Sequence, residues 1–213
     1  MGPKLRRHAR LPLALLGLLA VISVATLWSP PAGRTSWMLE VGPGLLEIAA
    51  MIALYRWLPL SHLVYVCTFL HLLILIYGGY YTYALTPLGN WAKEAFHLAR
   101  NDYDRVGHVA LGVFPSLVAR EVLLRRTPLR RDGWLFFLVC SVVLAIAAFW
   151  ELLEWWTALV AAPDVGTAFL GTQGDPWDTQ WDMFLALIGA LVALPLLGPA
   201  QDRSMEKVPA PGT

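Results

Sequence analysis

Six stretches of this chain are each apolar enough to cross a bilayer as a helix, and that feature leaves it little else to fold into. A helix rising about 1.5 Å per residue needs on the order of 20 apolar residues to cover ~30 Å of hydrocarbon. Windows of this kind lie at 11–28, 44–60, 62–85, 106–124, 134–161 and 182–197, the last being the shortest. They fill most of the 213 residues and leave no room for a soluble domain. Composition agrees, with 57% apolar residues, 15% charged and a mean hydropathy of +0.56. A soluble domain would be charged at about a quarter of its positions. The expected fold is therefore all-α, a polytopic integral membrane helix bundle of about six transmembrane helices. It forms one domain over 1–198, followed by a disordered cytoplasmic tail over 199–213, where Pro199, Pro209 and Pro211 cluster.

Basic residues near span ends stay on the cytoplasmic side, so their distribution sets the direction of the chain. With the N-terminus inside, Arg34, Lys93, Arg100 and Arg105 fall outside, and the other basic residues of the 16 fall inside. The loop RRTPLRRD after the fourth window is the strongest vote. Six spans then place both termini in the cytoplasm. The first window can also be read as a secretory signal, since Lys4, Arg6, Arg7 and Arg10 precede it and Ser23-Val24-Ala25 offers small residues for cleavage. In either case the next span starts outside.

Two connections are long. In 86–105, Trp91, Ala95, Phe96 and Ala99 recur at helical spacing, which predicts a short helix lying on the outer surface. In 163–181, Gly166, Gly171, Gly174 and Pro176 mark turns. A net charge of +1 gives no footprint for nucleic acid; membrane lipids are the expected partners, and protein partners stay open. Cys67 and Cys140 sit in apolar runs without a CxxC, which suggests neither a disulfide framework nor a cysteine metal site.

Acidic residues contribute little to topology, so their placement is separate information. Most fall in the outer half or the outer loops: Glu40, Glu47, Glu94, Asp102, Asp104, Glu151, Glu154, Asp164, Asp175, Asp178 and Asp182. A carboxylate or imidazole inside a span costs several kcal/mol unless it meets water, a partner or the bundle interior. Asp104 and His108 are four apart in YDRVGH and share a helical face. The pair can fix an imidazole tautomer or bind a cation; it can equally be a helix cap beside an interhelical hydrogen-bonder. Glu151 and Glu154 share a face in FWELLEWW, near an outer aromatic belt of Trp150, Trp155 and Trp156. Asp178 and Asp182 are four apart in GDPWDTQWDM, where Asp178 can also serve as a cap.

Topology brings Asp104, His108, Glu151, Glu154, Asp178 and Asp182 to one membrane level from three spans. Oxygen ligands with an imidazole can hold a divalent cation, activate water or relay protons, and the set names no particular metal. Three other residues carry less. Glu47, beside Gly42-Pro43-Gly44, reads as a wet residue at the interface or as a further member of the cluster, and His71, in mid-span, as a hydrogen-bonded interhelical residue ahead of a ligand. Glu121, beside Arg120 and Arg125, reads as a paired surface residue at the cytoplasmic end. No HExxH, glycine-rich phosphate loop or GxSxG is present.

The ordered blocks YDRVGHVALGVFPSLVAREVLLRRTPLRR, FWELLEWW and AFLGTQGDPWDTQWDMFLALIGA resemble the YjdF-like family of small bacterial inner-membrane proteins. The likeness runs from the second span to Ala190 and implies a polytopic inner-membrane protein, without assigning chemistry to any residue. A weaker likeness is to the VanZ-like membrane proteins, some linked to glycopeptide-antibiotic tolerance. It rests on Asp104 and His108 opening one span, Glu151 and Glu154 in an acidic span, and Asp182 with Gly189 in the last. The sequence departs from that pattern at Trp155, where a polar partner would follow Glu154.

These readings lead to one functional expectation and two alternatives. The expectation is a membrane enzyme with an outer-facing site that takes a divalent cation and acts on a lipid or envelope component. Asp104 would orient His108, with Glu151, Glu154, Asp178 and Asp182 as ligands or general base. The alternatives are a proton-coupled transporter and a non-catalytic scaffold.

Overall fold

In a computed structural model, the protein is described over residues 2–161, 166 and 169–209. Among these there are helices and no strand. A short α1 (Pro3–His8) leads into α2 (Arg10–Trp28), followed by α3 (Arg34–Leu54) and α4 (His62–Tyr81). After a 3-10 turn at Tyr83–Leu85 come α5 (Pro87–Ala95), α6 (Tyr103–Arg126), α7 (Gly133–Val160) and α8 (Asp178–Met205). Six helical segments are long and apolar enough to cross a membrane: α1 with α2, then α3, α4, α6, α7 and α8.

Both ends of the second span and both ends of the last differ from the hydropathy windows. The second span begins at Arg34 and carries Pro43 in its interior, instead of starting after Gly42-Pro43-Gly44. A proline removes one backbone hydrogen bond, and helices that cross a membrane tolerate the loss. That span also stops at Leu54 rather than 60, because Pro59 disfavours helix at the residue before it. The last span starts at Asp178, where the positive helix terminus favours a carboxylate. It then runs through Pro195 and Pro199 to Met205, which corrects the expectation of a disordered tail from 199. Gln201 and Asp202 hold this end: Arg120 donates to Gln201 at 3.0 Å, and both Arg120 (2.9 Å) and Arg131 (3.0 Å) pair with Asp202. Of the second long connection, 163–165 and 167–168 lie outside the described residues, as do 210–213 of the tail.

Helices in lipid gain nothing from hiding apolar surface and associate by close packing, so small residues mark the contacts. α6 and α8 run parallel and touch at Gly112, Ala186 and Gly189. A Cβ at Gly112 would collide with the Ala186 carbonyl oxygen, and one at Gly189 would meet the Cα of Gly112 at 3.0 Å. α7 runs antiparallel to both and packs Leu135, Val139, Val143 and Ala147 against Ala186, Ala190 and Leu194. On the other side, α4 gathers α2 and α3 around Trp37, Val41, Leu72 and Ile76. The Trp37 indole ties α2 to α3 by donating to Thr26 at 3.2 Å.

Glu121 is not a surface residue. It is fully buried, accepts from the Ser61 backbone N–H (2.7 Å) and hydroxyl (2.5 Å), and pairs with Arg125 at 3.2 Å. The chain bend before α4 brings Ser61 onto α6, which the sequence pattern of α6 alone could not show. Cys67 and Cys140 are buried and not joined.

Candidate functional site

The end of the bundle where α4 and α7 finish and α3, α6 and α8 begin collects the acidic residues. Because Gly112 and Gly189 bring the α6 and α8 backbones together, the preceding turns of both helices must also face each other. Asp104 and His108 lie on one of these faces and Asp178 and Asp182 on the other. α7, running the opposite way, delivers Glu151 and Glu154 to the same level. All six side chains are buried.

His108 is the centre of the cluster. Its Nε2 lies 3.8 Å from Asp104 and 3.5 Å from Glu151, too long for good hydrogen bonds and an ion pair only when the ring is protonated. Two groups offer ligand atoms that all lie within 4.8 Å of one another: Asp104 with His108 and Asp182, and His108 with Glu151 and Glu154. His108 Nδ1, Glu151 Oε1 and Asp182 Oδ1 are buried without a hydrogen-bond partner among the described residues. Buried polar atoms of this kind carry a free-energy cost that a bound ion would remove. Glu154 is partly satisfied, since the Trp150 indole donates to it at 2.6 Å. Neither Asp104 nor Asp178 is the cap of its helix; the N-cap positions are Asp102 and Trp177.

Asp178 stands apart from these two groups because Arg100 takes it. The Arg100 guanidinium donates to Asp178, to the Thr172 carbonyl at 3.0 Å and to the Gly171 carbonyl at 3.3 Å. Burial opposes its charge, but the Asp178 hydrogen bond and the surrounding carboxylates win and raise its pKa above the ordinary arginine value. Arg105 adds a second clamp, pairing with Asp175 at 2.8 Å and Asp102 at 3.2 Å. Asn101 and Gln173 close the seam by exchanging hydrogen bonds at 3.1 and 2.8 Å. The two long connections are thus sewn together over the mouth of α6 and α8. The expected helix in the first of them is present but stops at Ala95, followed by His97 at a positive φ of 53°. Trp91 on this helix and Phe96 just after it are exposed.

A cavity of about 520 Å³ adjoins the cluster and is lined by α3, α4, α6 and α7. Asp104, His108, Glu40 and Tyr83 form its polar end. The Tyr83 ring fits a slot left by Gly78 and Gly107, where a Cβ on either would strike it. Glu47 and His71 line the same cavity, so Glu47 takes the cluster side of its two readings and the interhelical reading of His71 is corrected. Since α3 begins at Arg34, Glu47 lies roughly 20 Å along the helix and not at the interface. His71 is not a satisfied hydrogen-bonder, because neither ring nitrogen has a partner among the described residues and its ring packs on Phe114, 5.8 Å between centroids.

In the sequence, Arg100 and Glu40 enter only the charge totals. Signals for both existed. Arg100 was one of the few basic residues on the acidic side of the topology, and Glu40 shares a helical face with Glu47, seven residues on.

Comparison with known proteins agrees with this architecture. A family described as "Predicted membrane protein (DUF2238)" matches residues 11–203. "Inner membrane protein YjdF" of Escherichia coli (strain K12) is 45% identical over 174 residues, covering 82% of this chain and 83% of that protein. No solved structure matches the chain.

Proposed function

This chain belongs to the DUF2238 family of predicted membrane proteins, and from that premise we propose that it is a multi-pass inner-membrane protein that binds a divalent cation and acts on a lipid or envelope component. Its location follows that of the relative named as an inner membrane protein. The excess of basic residues on one side supports cytoplasmic termini and a site opening to the outer face. Membrane lipids are its partners in this reading, and nucleic acid is not.

The observation that carries the proposal is the position of His108, shared between two carboxylate groups each close enough to surround one ion. The donor set is oxygen-rich with one imidazole, and its unpartnered atoms come from all three helices. Asp104, His108 and Asp182, or His108, Glu151 and Glu154, would hold the cation. When bound, such an ion polarises a carbonyl or phosphoryl oxygen and lowers the pKa of water. The protein's own groups do the rest. Asp104 and Glu151 flank the same nitrogen of His108 and orient the ring, with either able to accept a proton. Arg100 neutralises Asp178 and keeps that carboxylate out of the cluster. Trp150, with Phe169 stacked at its edge 6.0 Å away, shields Glu154 from water.

Metal analysis by mass spectrometry on detergent-purified protein tests this. One equivalent of a divalent cation in the wild type, lost in His108→Ala and in Glu151→Gln, is the expected result. Folded wild type without metal would overturn it.

One observation favours a second reading, a proton-coupled carrier: Glu47 and His71 extend the polar lining of the cavity from Asp104 and His108 into mid-span. Proton flux in liposomes that disappears in Glu47→Gln would select the carrier over the enzyme.

A further inference from the structure

The cavity beside His108 has an asymmetry that a cation site alone does not need. One end is lined by Glu40, Tyr83, Asp104 and His108, Glu47 and His71 line the middle, and the far end is walled by Val118 and Val122 of α6 and Val142 and Ile146 of α7. Along α6 it reaches from Asp104 to Val122, a length of roughly 27 Å. It therefore runs past the ~15 Å that one leaflet supplies of the ~30 Å hydrocarbon core, deep enough for an extended acyl chain. The void of about 520 Å³ falls within the ~300–1,000 Å³ typical of sites for organic ligands.

The groove also opens sideways. α3 packs on α4 and α2, and α7 on α6 and α8, so the two walls stand on either side of α6. Their rims at Leu46 on α3 and Val142, Ile146 and Phe149 on α7 are exposed apolar residues of membrane-crossing helices. At that depth the surrounding medium is lipid. A second apolar crevice, of about 370 Å³ between α2, α3 and α4, has no carboxylate in its lining and provides a contrast.

We propose that this groove docks one acyl chain of a membrane phospholipid, entering between α3 and α7 with its phosphate at the Asp104–His108 end. The assignment rests on the cation reading, because the acidic end becomes complementary to a phosphate when a divalent ion lies between them. It narrows the lipid or envelope component of that reading to a phospholipid held by its chain.

The test uses the full-length protein in vesicles containing phosphatidylglycerol with a photoreactive diazirine near the end of one acyl chain. After irradiation, adducts are mapped by peptide mass spectrometry and metal content is measured on the same sample. The expected result is labelling concentrated at 118–122 and 142–146, with α2 and the crevice beside it labelled at background. Val142→Trp, which fills the groove from its exposed rim, lowers that labelling severalfold. Leu144→Trp, equally exposed on α7 but outside the lining, leaves it unchanged. Labelling spread evenly over all lipid-facing helices, or insensitive to Val142→Trp in a protein as thermally stable as wild type, overturns the docked chain. The two readings fail separately. Even labelling in a protein that holds metal removes the chain and leaves the cation. Groove labelling without metal removes the cation and the phosphate contact, and leaves the chain.

Discussion

Gly112 on α6 and Gly189 on α8 lie backbone to backbone: a Cβ on Gly189 would sit 3.0 Å from the Cα of Gly112 and closer still to the Val109 carbonyl oxygen. The contact fixes the register in which Asp104 and His108 meet Asp182. Gly112→Leu should therefore destabilise the bundle by about 1–3 kcal/mol or more through overpacking. Thermal unfolding in detergent reads this out, with Gly17→Ala as the control, since nothing lies within 4 Å of its Cβ. Equal stability of the two variants would show that the helices are not held at this point.

Arg100→Met removes the cation that accompanies a buried Asp178. The expected loss is about 3–5 kcal/mol, because a buried charge is left uncompensated. Adding Asp178→Asn should recover much of it, and a double-mutant cycle measures the coupling. Independent, additive losses would mean that the pair does not hold the two connections together.

Glu121→Leu leaves the Ser61 N–H and hydroxyl without their acceptor, while Arg125 keeps the Pro59 carbonyl. Each unsatisfied group costs about 1–3 kcal/mol, and Glu121→Gln, which keeps one acceptor oxygen, should cost less. The order of melting temperatures, wild type above Gln above Leu, is the check.

The proposed direction of the chain has its own test. Glu94→Cys and Arg130→Cys place thiols on exposed residues at opposite ends of the bundle. An impermeant thiol reagent added to intact cells should modify the first and not the second. The native Cys67 and Cys140 are buried and contribute little background. The reverse pattern would invert the topology and place the acidic site inside.

How much of this was legible in the sequence differs between fold and site. Hydropathy and length found all six spans, because the demand for internal backbone hydrogen bonding in lipid makes each span a long apolar helix. The ends were less legible: proline is tolerated inside α3 and α8, so Pro43 and Pro199 were poor guides to where these helices stop. Helical spacing put Asp104 with His108, and Glu151 with Glu154, on common faces. It carried no information on contacts between helices. The capture of Asp178 by Arg100, the approach of Ser61 to Glu121 and the entry of Glu47 and His71 into one cavity each depend on residues far apart in the chain.

α6 is the least apolar of the six spans and carries Asp104, His108, Arg120 and Glu121. Their partners are divided between earlier and later parts of the chain. Ser61 has already been made when Glu121 emerges from the ribosome, whereas Asp182, Gln201 and Asp202 belong to the last helix to be synthesised. The helix least suited to lie alone in lipid must wait through the synthesis of all of α7 for the groups that complete it. Shelter during that interval, by the insertion machinery or by α4, is thus as much a requirement of this sequence as any contact in the finished bundle.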